Sequence, residues 1–139
     1  MSADEKPIGV AIVICDKAIT ESPSQNKTLV SILNRIDAAD FPHTHGRLSV
    51  YVALDCGQGK REISLVVKRV RDGMKICKAA GHVELQTPND LLELFFEFQK
   101  IVFPEAGSYV FEVLDDNDFI FQRCLYVRQV KDKYPRRRW

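Results

Sequence analysis

The chain has 139 residues, of which 45% are hydrophobic and 28% charged, and its net charge is +1. That length is one domain, and that composition is ordinary globular usage with enough apolar surface for a core that needs no staples. No apolar run approaches the ~18 residues of a membrane-crossing helix, so no membrane span is expected.

Residues 1–7 form a short polar lead. The opening Met-Ser-Ala-Asp-Glu-Lys-Pro carries acids where a secretion signal has a basic region, so a cytoplasmic location is expected. Residues 8–16 are nearly continuously apolar (Val10, Ile12, Val13, Ile14), which suits a strand buried on both faces. Residues 20–27 are a turn-rich connection through Ser22-Pro23-Ser24 and Gln25-Asn26. Residues 29–36 fit either a short helix, by Leu29, Ile32, Leu33 and Ile36, or a strand.

Residues 38–46 read as a loop containing Phe41-Pro42. Residues 47–55 alternate cleanly, with Leu48, Val50, Val52 and Leu54 inward. Gly57-Gln58-Gly59 turns the chain, and residues 61–70 return with Ile63, Leu65 and Val67 on one face. Arg71-Asp72-Gly73 is a second tight turn with the Asp-Gly pair that hairpins favour. Residues 74–85 continue as a strand interrupted near Gly81.

Residues 87–103 carry two periods at once. Thr87-Pro88-Asn89-Asp90 resembles a helix start, and Leu91, Leu94, Phe95, Phe98, Ile101 and Val102 follow a helical stripe. Leu92, Leu94, Phe96 and Phe98 equally alternate as a half-buried strand. The last third is plainer. Tyr109, Phe111 and Val113 share one face of a run, Asp115-Asp116-Asn117-Asp118 turns the chain, and Phe119, Phe121, Leu125 and Val127 supply the return. Turn signals every 8 to 12 residues between short runs predict a β-sandwich. Its expected core is Val10, Ile12, Ile14, Leu48, Val50, Val52, Leu54, Ile63, Leu65, Phe96, Phe98, Tyr109, Phe111, Val113, Phe121, Leu125 and Val127.

Spaced features along residues 8–129 resemble an uncharacterised prokaryotic family of short β-sandwich proteins known only as a domain of unknown function. They are Ile14-Cys15-Asp16, the 29–36 segment followed by Phe41-Pro42, the 48–54 strand, Phe103-Pro104-Glu105-Ala106-Gly107-Ser108-Tyr109, and the closing 121–129 strand. The resemblance implies an all-β, antiparallel, immunoglobulin-like sandwich of seven or eight strands spanning residues 8–130. It implies strand over helix for residues 29–36 and 91–102, and it brings no catalytic residues. The chain departs from the family at its charged tail and at the Asp-Asp-Asn-Asp turn, where an Asp-Gly pair is more usual.

The cysteines are Cys15, Cys56, Cys77 and Cys124, with no C-x-x-C spacing, so thiols are expected rather than a zinc site. Cys15 and Cys124 lie in predicted strands near opposite ends of the chain, and a disulfide between them is the alternative. His43 and His45 place two imidazoles on one side of an extended loop and are weak metal candidates, needing a third ligand from His82 or Asp40. Asp115-Asp116-Asn117-Asp118 offers oxygen ligands to calcium, but it lacks the glycine and distal glutamate of an EF-hand, and a hairpin turn accounts for it. Cys15-Asp16 shows no neighbouring base to activate the thiol. Gly57-Gln58-Gly59-Lys60 lacks the rest of a phosphate-binding loop.

Residues 131–138 hold five of the twenty basic residues and one of the nineteen acids, a local balance of +4 that leaves residues 1–130 at −3. A mildly acidic body is no general nucleic-acid binder. The basic tail of residues 131–139, expected to be flexible, is the segment that asks for a partner. Lys133, Tyr134, Arg136, Arg137, Arg138 and Trp139 suit a protein interface, a nucleic acid or an anionic surface. The expectation is therefore a non-enzymatic binding or assembly module without a cofactor. It would work through a protein partner or self-association, with nucleic-acid attachment by the tail and a metal or small-ligand site at His43 and His45 as alternatives.

Overall fold

The computed structural model describes residues 6–55, 59–85 and 91–131. Nine strands run through them in chain order: β1 (Ile8–Thr20), β2 (Lys27–Ile32), β3 (Arg35–Ala38), β4 (His43–Asp55), β5 (Gly59–Arg69), β6 (Lys75–Leu85), β7 (Leu92–Phe103), β8 (Gly107–Asp115) and β9 (Asp118–Gln129). They form two sheets, one ordered β2-β1-β4-β7 and one ordered β3-β9-β8-β5-β6. This is an immunoglobulin-like β-sandwich.

Alternation builds the core between the layers. Leu48, Val50, Val52 and Leu54 of β4 face Ile63, Leu65 and Val67 of β5 and Tyr109, Phe111 and Val113 of β8, all buried. Over Leu92–Phe103 the two-period segment resolves as strand, β7 pairing with β4 from Leu92 opposite Leu54 to Phe103 opposite His43, while Thr87-Pro88-Asn89-Asp90 lies outside the described residues. Phe96 and Phe98 join the core, while Glu97 and Gln99 face water. Cross-strand packing against β4 decides what local propensity left open.

Five expectations need correction. There are nine strands rather than seven or eight, because residues 29–36 split at Leu33 and Asn34 and contribute β2 to one sheet and β3 to the other. The sandwich is not wholly antiparallel, since β3 runs parallel to β9 with Ile36 opposite Val127. Val10, expected in the core, is 54% exposed. The register of β1 on β4 shifts between Gly9 and Ala11, making Val10 the extra residue of a bulge, so the strand buried on both faces is outward-turned at its start. Finally β6 is continuous through Gly81. Phe121, also expected in the core, is half-buried and packs against it.

The β1–β2 hairpin folds back over its own sheet. Lys27, at the start of β2, stands 5.8 Å above the ring of Phe95 in β7, although β1 and β4 separate those strands in the sheet order. Cys15 and Ser49, on that outer face, are buried.

The Phe103-to-Tyr109 corner closes the other end. The Tyr109 hydroxyl donates to the Glu105 carbonyl oxygen at 2.6 Å and accepts from the Glu105 N–H at 3.3 Å, while its ring meets Phe103 edge-on at 4.9 Å. This is the tyrosine corner of immunoglobulin-like domains. Tyr109→Phe is expected to cost about 1–2 kcal/mol, because it strands two backbone groups beside a buried ring. Urea denaturation measures it, and an unchanged midpoint would show that the corner holds without the hydroxyl.

Candidate functional site

His43 and His45 open β4 rather than occupying a loop. Their partners across the ladder are Phe103 and Ile101 of β7. Lys100, between Ile101 and Gln99, has a φ of 61°, and the inward phase of β7 changes there from even to odd residues. The phase of β4 changes opposite it at Gly46. Both histidines are thereby turned to the half-buried side, with Nε2 of His43 3.5 Å from Nδ1 of His45 and the rings edge-to-face at 5.7 Å. The imidazoles do come together, as their spacing foretold. His82 does not join them. It pairs with Glu62 near the start of β5, at the end of the sandwich where β4 finishes. Among the described residues no group of three histidine, cysteine or acidic side chains could hold a metal ion.

The Asp-Asp-Asn-Asp turn is occupied by the protein itself. Asp116 and Asn117 have φ values of 47° and 73°, which hairpin turns require and which Asp and Asn tolerate. Asp116 Oδ1 accepts the Glu62 N–H at 3.0 Å, and Asp118 pairs with Lys6 at 3.2 Å. Asp115 is not a turn residue but the buried last residue of β8, where Oδ2 meets Nη1 of Arg61. Burial pushes its pKa up against the pull of Arg61. Sequence reasoning missed this pair, although its signal was present. Arg61 lies in phase with Ile63 and Leu65, and Asp115 lies in phase with Phe111 and Val113.

Beside that pair, an open groove of about 570 Å³ runs over Lys60, Arg61, Glu62, His82, Val83, Glu84 and Asp116. Its charges are mixed and partly answer one another, as in His82 Nε2 at 3.6 Å from Glu62.

The described cysteines Cys15, Cys77 and Cys124 are thiols, so Cys15 and Cys124 are not bonded. Cys15 is fully buried, and burial, helped by Asp16, raises its pKa, the reverse of activation. Burial pushes Cys77 up to about 11. Cys56, the Gly57-Gln58 part of the glycine turn, and the tail residues Lys133, Tyr134, Arg136, Arg137, Arg138 and Trp139 lie outside the described residues.

Three large apolar side chains near the starts of β1 and β9 are more than half exposed. Ile8 is 60%, Val10 54% and Phe119 53% exposed. The two strands are held together there by the Lys6–Asp118 pair and by the Phe121 ring lying on Gly9. Further along β1, Arg123 of β9 reaches across the seam, donating from Nη1 to the Ile12 carbonyl and from Nη2 to Asn34 Oδ1, both at 3.0 Å.

Comparison with known proteins gives a family and no function. No curated protein matches the chain. Among solved structures, an alkylpurine DNA glycosylase from Pseudomonas fluorescens bound to DNA containing an abasic site analog is 13% identical over 68% of this chain, with a TM-score of 0.44. A β-glucosidase from Kluyveromyces marxianus is 16% identical over 67%, also at 0.44. The chain spans only 27% and 14% of those two proteins. An immunoglobulin-like protein from Pseudomonas aeruginosa is 16% identical, covers 91% of this chain and all of its own, and has a TM-score of 0.43. A family model matches residues 10–128, and the chain therefore belongs to the family of unknown function DUF6941.

Proposed function

We propose that the protein is a non-enzymatic binding or assembly module that holds a protein partner on the β1/β9 side of the sandwich. The observation that supports this reading is that Ile8, Val10 and Phe119, each more than half exposed, flank Gly9 and Phe121, the residues at which β1 and β9 meet. Single apolar residues on a surface carry no message, but several large ones on two strands joined by a close contact suit an interaction surface on a rigid frame. The Lys6–Asp118 pair supplies the polar rim that interfaces of this kind carry.

The test is a variant carrying Ile8→Glu and Phe119→Glu. Both side chains already face water, so the melting temperature is expected to stay within a few degrees. Affinity purification of the tagged protein from its native host, with quantitative mass spectrometry, is expected to show roughly tenfold or greater loss of co-purifying protein, the scale on which central apolar anchors act. The same protein set recovered in the same amount would reject this surface.

A further inference from the structure

We infer that β6 is a self-pairing edge, and that two copies of this chain join through it across a two-fold axis centred on Gly81. The inference concerns the opposite side of the sandwich from the β1/β9 surface and does not rest on that reading.

Every sheet edge offers unpaired N–H and C=O groups, and folded proteins blunt the edges they do not use. Most edges here are blunted. The free part of β1 carries the Val10 bulge, and Arg123 occupies the Ile12 carbonyl. Edge strand β7 is interrupted by Lys100 at a φ of 61°, and β2 by Ser31 at 58°. β3 has four residues. β6 carries a bulge at Ile76, but beyond it residues 77–85 run in unbroken register, pair within their sheet only with β5, and include no residue of positive φ.

Its side chains are arranged for a copy of itself. Cys77, Ala79 and Val83 pack inward against the core. Lys78, Ala80, His82 and Glu84 are exposed on the outer face. In an antiparallel pair of β6 strands with Gly81 opposite Gly81, Lys78 of each copy stands directly opposite Glu84 of the other, and Ala80 stands opposite His82. No other register sets Lys78 against Glu84. Directly opposed side chains sit about 5 Å apart, where opposite charges attract and like charges repel. The lysine that would deter an unrelated strand therefore becomes a specific contact, met twice because the axis is two-fold. Ala79, Ala80 and Gly81 at the centre bring no bulk against the joint.

Sedimentation equilibrium and a cysteine probe test this. The full chain is expected to be a dimer at tens of micromolar. Lys78→Glu and Glu84→Lys should each weaken dimerisation roughly tenfold or more, and the two together should restore it, because the opposed signs are re-established. Gly81→Cys is the geometric arm. A Cβ at Gly81 meets nothing within 4 Å and the residue has no positive φ, so the variant fits the fold. Opposed residues of an antiparallel pair lie within disulfide reach. In a Cys56→Ser, Cys77→Ser, Cys124→Ser background, mild oxidation should link Gly81→Cys into a covalent dimer and leave an Ala106→Cys control without a covalent link. A monomer at 100 μM would overturn the inference. So would a dimer indifferent to both charge changes, or one that Gly81→Cys fails to link.

Discussion

Arg61→Met is expected to destabilise the fold by about 3–5 kcal/mol at neutral pH, the cost of stranding a buried charge. Arg61 is 8% exposed and Asp115 3%. They face each other at the inner edge of β5 and β8, where Ile63 opposes Asp115. The arginine is the hydrogen-bonding partner of Oδ2, and Oδ1 already lacks a donor. Methionine keeps the stem's bulk and removes the charge, so the loss reads the electrostatics rather than a cavity.

The pH dependence of that loss carries a sign. Burial already lifts the pKa of Asp115, with Arg61 opposing. A carboxyl whose folded pKa exceeds its unfolded one favours folding most when protonated, and its contribution falls as pH rises between the two values. Removing Arg61 lifts the folded value further. The deficit of the variant is therefore greatest at pH 7 and shrinks as pH falls through the new Asp115 pKa. Glu105 titrates the other way. Its hydrogen bond from Arg71 holds it low, so its contribution is present above the ordinary carboxylate range and lost on acidification. That loss is common to both proteins and cancels in the difference. Urea denaturation of the wild type, Arg61→Met, Asp115→Leu and the double variant at pH 7 and pH 4.5 measures all of this. The double variant should recover wild-type stability, since a matched apolar pair replaces a buried ion pair at little cost. An Arg61→Met protein within 1 kcal/mol of wild type at pH 7 would show that Asp115 is not held buried by the fold.

The same pair shows where the sequence could be read and where it could not. Alternation in β4, β5, β8 and β9 announces two facing layers, because a period of two admits one inward set per strand. Arg61 and Asp115 sit in those inward sets, but reading charges as surface residues hides them, since only the partner strand makes their burial tolerable. Val10 fails for a different reason. One inserted residue reverses the inward phase, and a bulge leaves no mark in an apolar run such as Gly9-Val10-Ala11-Ile12. His43 and His45 were readable as neighbours by spacing, but their place in a strand follows from pairing with Phe103 and Ile101 of β7, far along the chain. The split of residues 29–36 likewise depends on β9, the last strand to be made.

Gly9→Val is expected to cost about 3 kcal/mol, the upper part of the range for overpacking a closed site. A Cβ on Gly9 would lie 2.3 Å from Cγ and Cδ2 of Phe121. The atom struck is the root of the ring, not a pliant tip, so rotation about χ2 gives no relief. Either the ring leaves β1 or β1 leaves β9. Both open the seam that Lys6–Asp118 and Arg123–Ile12 hold shut. The glycine is thus required for close approach rather than for backbone freedom. Coupling separates this account from a simple loss of strand propensity, which would favour valine. In a Phe121→Ala background the added methyls meet no ring, and Gly9→Val should then be neutral or stabilising, a coupling of about 2–3 kcal/mol on a double-mutant cycle. Additive losses would mean that the ring already rests elsewhere. Because Ile8, Val10 and Phe119 are presented by the two strands this contact joins, Gly9→Val should also weaken partner capture through the β1/β9 surface.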